Sequence, residues 1–223
     1  MRILIDTANI DKIREAYDYL PISGVTCNPS ILKKENRDPI PVLKEIRSFL
    51  GEEDLFIQTV GETAEEMIED GKAIAEAFGS HVYIKVPSTR EGFKAMKRLK
   101  EEGYRLTATA IYYPQQALIA GNIGVDYIAP YYNRIETEGM DAVETIRQMQ
   151  ILLKNTPTKI LGASFHTIEQ VLSFSLLDPE AITLAPAILD QLSDLEIIEK
   201  VAEKFNADFY ELVGSKSCMK DVL

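Results

Sequence analysis

One lysine stands inside an otherwise apolar β-type run: Lys85, in HVYIKVP, flanked by Ile84 and Val86. Neighbours along a strand point to opposite faces, so if Val82, Ile84 and Val86 face a helical layer, Lys85 faces the interior. Burial there disfavours the ammonium, lowers the pKa and frees the amine as a nucleophile. Moving a lysine from ~10.4 to near neutrality corresponds to about 4–5 kcal/mol of differential stabilisation. The chemistry implied is imine formation with a ketone. The plainer alternative is a buried ion pair with Asp6. Other lysines fall on helical stretches, in loops or in the C-terminal tail, and Lys159 borders a strand only at its beginning.

Polar side chains recur at the ends of other strand-like runs. Asp6 lies in RILIDT, Asn28 in GVTCN, Gln58 in DLFIQTV, and Thr107 and Thr109 in RLTATAI. Tyr131 ends DYIAPYY with Asn133 and Arg134 just beyond, and Ser164 lies in TKILGASF. Each buried polar group costs free energy unless paired, so seven polar strand ends together point to a site. An imine aldolase must expel water from a carbinolamine and then move a proton to or from carbon, often through an ordered water. Gln58, Thr109 and Tyr131 are neutral hydrogen-bonding groups suited to hold that water beside Lys85. Asp6 can accept from a substrate hydroxyl or relay a proton, and Asn28 can fix another hydroxyl. For Gln58 and Thr109 the alternative is strand filling with local hydrogen bonds.

A phosphate would meet Arg134 and Ser164 after the sixth and seventh strands, where barrels often bind one, with His166 a third donor when protonated. The alternative for Arg134 is a surface salt bridge with Glu136 or Glu138. Metal catalysis fits poorly, because zinc sites take two or three histidines and only His81 and His166 are present. Ser164 and His166, two residues apart, lack the spacing of a nucleophile and its base on one strand. Cys27 has no activating partner and reads as a buried structural thiol. With neither a Walker nor a dinucleotide motif, no cofactor is expected.

The elements that must position these groups alternate. Strand candidates are 2–7, 24–28, 54–60, 81–87, 105–111, 126–132, 158–165 and 181–186; helical patterns lie near 9–20, 39–50, 62–78, 88–102, 113–121, 138–154, 166–177 and 187–205. Thr63 with Glu66 and Ser88 with Glu91 have capping-box spacing, and Gly79 and Gly103 sit where helix C-caps belong. Such alternation implies parallel pairing, and eight units close a (β/α)₈ barrel with its active site at the C-terminal strand ends. An open doubly wound sheet would need a glycine-rich turn after the first strand, which here reads DTAN. The expectation is one barrel domain over 1–223, with a C-terminal extension about 207–223 that packs on a neighbouring subunit.

Composition agrees. A chain of 223 residues, 46% hydrophobic, buries a core without staples, and two cysteines fit a reduced cytoplasmic protein. The start, MRILIDTAN, is unlike a signal peptide, and no apolar run approaches the ~18 residues of a membrane span. The net charge is −11, with 35 acidic against 24 basic residues, and no basic cluster of the kind nucleic acid requires appears along the chain.

LIDTAN, GVTCNPSIL, YIKVPSTREGFKAMKRL, IAPYYNRIE and GASFHT together resemble the small transaldolase family, which includes fructose-6-phosphate aldolases, nearly end to end. The resemblance implies a (β/α)₈ barrel, a dihydroxyacetone imine on Lys85, substrate contacts at Asp6 and at Thr26 and Asn28 of the T-x-N-P-S segment, and phosphate contacts at Arg134 and Ser164. Transaldolases carry glutamate on the third strand and usually phenylalanine after the sixth. Gln58 and Tyr131 place this chain on the aldolase side, with cleavage of fructose 6-phosphate to dihydroxyacetone and glyceraldehyde 3-phosphate the expected reaction. Transfer of dihydroxyacetone between sugar phosphates, as in the pentose phosphate pathway, is the second reading, and a silent sugar-phosphate-binding barrel the third. Thr107 replaces a common asparagine and His166 a common lysine or arginine. The family also implies a homo-oligomer, a pentamer or a decamer of two five-membered rings.

Overall fold

A computed structural model describes residues 1–193 and 195–223. Among them, eight parallel strands pair in chain order and the first closes on the last: β1 (Arg2–Asp6), β2 (Ile22–Thr26), β3 (Asp54–Gln58), β4 (Val82–Pro87), β5 (Leu106–Ile111), β6 (Tyr127–Pro130), β7 (Lys159–Gly162) and β8 (Ala181–Leu184). The helices are α1 (Ile10–Tyr19), α2 (Pro29–Lys34), α3 (Pro39–Leu50), α4 (Ala64–Phe78), α5 (Arg90–Glu101), α6 (Pro114–Ile123), α7 (Tyr132–Thr137), α8 (Ala142–Leu153), α9 (Ile168–Ser175), α10 (Pro186–Ser193) and α11 (Glu196–Val213). This is the expected (β/α)₈ barrel. All eight strands fall within about two residues of their predicted starts, but α2 and α7 are additional. Both are only six residues long, too short for a helical period to show. The single pattern at 187–205 is two helices, α10 and α11.

Alternation decides which side chains meet. Ile84 points outward: its Cγ2 lies 3.4 Å from where a Cβ on Gly71 of α4 would stand. Inside, Leu4, Phe56, Tyr83, Tyr127, Leu161 and Ala181 form one buried layer. Phe56 stacks on Tyr83 at 4.5 Å, and Tyr127 meets both edge-on at 5.9 and 5.3 Å. Aromatic pairs of this kind contribute ~0.5–1.5 kcal/mol beyond the area they bury. Beneath this layer Asp54 takes Arg2 at 2.7 Å and Arg105 at 3.1 Å. Bonds to charged groups are worth roughly 1.5–3 kcal/mol each, and these belong at the lower end because both arginines are a third exposed. The barrel is thus plugged at its N-terminal end, leaving chemistry to the other.

The described residues form two compact units, Met1–Leu189 and Asp190–Leu223. The first holds the barrel. In the second, α11 has no buried residue and exposes Ile198, Phe205 and Leu212. No helix among the described residues is long and apolar enough to cross a membrane.

Candidate active site

The C-terminal strand ends open into a cavity of about 550 Å³. Asp6, Thr26, Asn28, Gln58, Lys85, Ala129, Tyr131 and Thr183 line it, with Ser30 and Lys34 of the α2 side and Arg134, Ser164 and His166 of the β6 and β7 side. Residues from seven of the eight strands or their ends thus line one cavity, and β5 contributes none.

Lys85 is 5% exposed, and its Nζ donates to the Cys27 carbonyl oxygen at 3.0 Å. Among the described residues it forms no ion pair; Asp6 feels its charge from beyond pairing distance. The ion-pair alternative therefore fails, and the amine sits at a cavity wall held by one neutral acceptor. The end of β4 is fixed from two sides. Ser88 donates to the Thr109 carbonyl at 2.8 Å, so Ser88 is not the cap that the S-x-x-E spacing suggested; Thr89 caps α5 instead, accepting from Gly92 N at 3.0 Å. A Cβ at Gly92 would lie 1.8 Å from the Pro87 carbonyl oxygen, so only glycine lets α5 start this close to the strand carrying Lys85. The Thr63–Glu66 capping box and the Gly79 C-cap of α4 form as expected.

Asp6 accepts from Thr26 Oγ1 at 2.6 Å, and Thr26 Oγ1 lies 2.7 Å from Thr183 Oγ1. Since Thr26 gives its proton to Asp6, Thr183 donates to Thr26. Burial pushes the Asp6 carboxyl above its ordinary range, against the opposing effects of Lys85 and the Thr26 hydrogen bond. The folded chain therefore holds this proton more tightly than the unfolded chain does. Ionised Asp6 opposes folding above the usual carboxylate range, and the penalty fades as pH falls through the raised pKa. A carboxyl kept in this state suits proton exchange with a substrate hydroxyl.

Asn28 caps α2: its Oδ1 accepts from Ile31 N at 3.0 Å, which leaves the amide N–H group for a ligand. The side chain of Gln58 makes no hydrogen bond among the described residues. Its Cα is in register with that of Lys85. Tyr131 Oη and Thr109 Oγ1 are 3.0 Å apart. Thr109 is itself set by a break in the strand: the β5–β6 register shifts after Ala108, and Ala110 takes φ 56°, unusual for a residue with a Cβ. Gln116 pins that break, donating to the Ala110 carbonyl at 3.0 Å and accepting from Tyr112 N at 2.8 Å.

On the opposite side, Arg134 is exposed and forms no ion pair among the described residues. The expected competitor Glu136 is taken by Gln170, whose amide also donates to Asn133 Oδ1 at 3.0 Å and accepts from His166 N at 2.7 Å. Gln170 thus ties the β6 and β7 loops together. Ser164 adopts φ 62°, a strained backbone that turns the chain at the rim.

Three sequence candidates do not line the cavity. Thr109 is buried and meets it only through its contact with the Tyr131 hydroxyl. Asn133 is engaged by Gln170, and Thr107 is fully buried beneath the site with its hydroxyl unpartnered. Cys27 is fully buried, its thiol pushed up to about 12 by that burial, as a structural cysteine should be. Four contributors escaped sequence reasoning. Thr183, between Ile182 and Leu184, shows the same polar-in-apolar alternation as Lys85. Gln170 follows Thr167 at capping-box spacing. Gln116 and Lys34 carried no comparable signal.

The sequence model of the transaldolase/fructose-6-phosphate aldolase family matches residues 3–220. A Streptococcus pneumoniae protein described as a probable fructose-6-phosphate aldolase is 35% identical over 221 residues, covering 97% of this chain and 100% of that protein. A closed barrel with an unpaired lysine on its fourth strand, matched over nearly its full length by both, places this chain in the transaldolase/fructose-6-phosphate aldolase family.

Proposed function

We propose that the protein is a Schiff-base aldolase that reversibly cleaves fructose 6-phosphate to dihydroxyacetone and glyceraldehyde 3-phosphate without a cofactor. The observation that carries this reading is Lys85: buried, unpaired, and donating to one carbonyl at the wall of a polar cavity. Its Nζ attacks the C2 carbonyl, and the carbinolamine loses water to give an iminium ion. The C4 hydroxyl then gives up its proton as the C3–C4 bond breaks, and the electron pair is drawn into the iminium. Glyceraldehyde 3-phosphate leaves, C3 of the enamine is protonated, and water releases dihydroxyacetone.

Asp6 and the Asn28 amide orient the donor hydroxyls, with Asp6 available to take the proton. Thr26 and Thr183 hold Asp6 in place. Tyr131, supported by Thr109 and assisted by Gln58, positions the water and returns the proton. Arg134, Ser164 and His166 receive the phosphate. Gln58 and Tyr131 favour free cleavage over transfer: a neutral amide and a phenol are suited to deliver water to the imine. Fructose 6-phosphate supplied alone is expected to yield free dihydroxyacetone in catalytic amounts. If dihydroxyacetone equivalents are released only when an aldose phosphate acceptor is added, the enzyme is a transaldolase.

The assembly belongs to the same reading. An 18-residue helix with Ile198 58%, Phe205 66% and Leu212 81% exposed presents an apolar surface of the kind that marks subunit contacts. A pentamer or decamer in the cytoplasm is expected. Light scattering should return a mass five or ten times the 25.0 kDa of the chain, and a monomer would refute it.

A further inference from the structure

Lys34 is the one cavity-lining cation the mechanism leaves without a role. It ends α2, is exposed, and makes no ion pair among the described residues. Arg134 lines the cavity from the β6 side in the same unpaired state. Asp6 is the one carboxylate among the lining residues, and it is committed to Thr26. In a chain of net charge −11, two free cations facing one cavity stand out against the general field. A phosphate monoester carries about −1.5 to −2 near neutrality, more than one guanidinium balances. Histidine adds full charge only in acid. The lysine stem is long and flexible, so its ammonium can follow an anion across the mouth.

We propose that Lys34 is a specificity residue, closing over the phosphate of the bound sugar or aldehyde from the rim opposite Arg134. The inference rests on the aldolase reading for its substrate. The cap at Asn28 gives it a structural logic: one short helix presents both a donor-binding amide and, at its other end, the ammonium.

The test compares wild type with Lys34→Gln, Lys34→Glu and Lys34→Arg in the synthetic direction, with dihydroxyacetone and either glyceraldehyde 3-phosphate or unphosphorylated glyceraldehyde. A charge-assisted contact at an exposed position corresponds to a roughly 5–20-fold effect. The ratio of kcat/KM for the phosphorylated over the unphosphorylated aldehyde is expected to fall by about that factor in Lys34→Gln, further in Lys34→Glu, and to recover in Lys34→Arg. Binding of inorganic phosphate, measured by calorimetry without turnover, should weaken in the same order. An unchanged ratio with unchanged phosphate affinity overturns the proposal. So does an equal loss with both aldehydes accompanied by a moved acid limb, which would mean that Lys34 acts through Asp6. Failure of the aldolase reading is distinct: no borohydride-trapped dihydroxyacetone on wild-type Lys85, while the phosphate titration still reports on Lys34.

Discussion

Borohydride treatment with dihydroxyacetone should add the mass of one reduced three-carbon unit to the wild-type chain and nothing to Lys85→Met. Turnover of fructose 6-phosphate should fall by about 10⁴-fold or more in the same variant, since no other group can carry the covalent intermediate. Methionine has nearly the same reach and no charge, so it should be accommodated between Ile84 and Val86 with little disturbance. Among the described residues, the single side-chain hydrogen bond lost is the one to the Cys27 carbonyl. Peptide mapping places the adduct: it must fall on the peptide containing Lys85. An adduct retained in Lys85→Met, or absent from the wild type, would refute the imine.

The second large effect concerns Tyr131. Removing its hydroxyl in Tyr131→Phe strips the group that Thr109 holds at 3.0 Å. General acid–base contributions run about 10²–10⁴-fold, so release of free dihydroxyacetone should fall by at least about 10²-fold. The carbon–carbon step should suffer less, because the C4 hydroxyl proton goes to Asp6. Exchange of dihydroxyacetone onto an added aldose phosphate should therefore persist, and the ratio of transfer to release should rise. Release and transfer are measured in one reaction by following free dihydroxyacetone and the new ketose phosphate. A drop in release of less than about twofold would remove Tyr131 from the proton path. An equal drop in both would make it a general structural support of the imine, not a controller of water.

Much of the site was legible because strand alternation is local. A polar residue between two aliphatic ones must face away from them, and in a closed barrel that direction is inward. Lys85 between Ile84 and Val86 obeyed this rule, as did Thr183 between Ile182 and Leu184. The short helices were not legible in the same way. α2 and α7 carry Lys34 and Arg134, yet six residues give no period to detect. Asn133 shows the limit from the other side. Its place beside Arg134 suggested a ligand contact, but a glutamine 37 positions later claims its oxygen.

The sequence by itself determined the barrel, the direction of side chains along the regular strands and the identity of the lone interior lysine, because these follow from period-two alternation and from the count of strand–helix units. Tertiary structure decided how those groups are held. Nothing local foretold that Lys85 would donate to the carbonyl of Cys27, 58 residues away. The Asp6–Thr26–Thr183 chain is likewise non-local, joining β1, β2 and β8 only because the sheet closes. So is the displacement of the α5 cap to Thr89, which follows from the approach of Gly92 to Pro87. Hydrogen-bond partners depend on angstroms of separation between distant segments, and only closure of the barrel sets those separations.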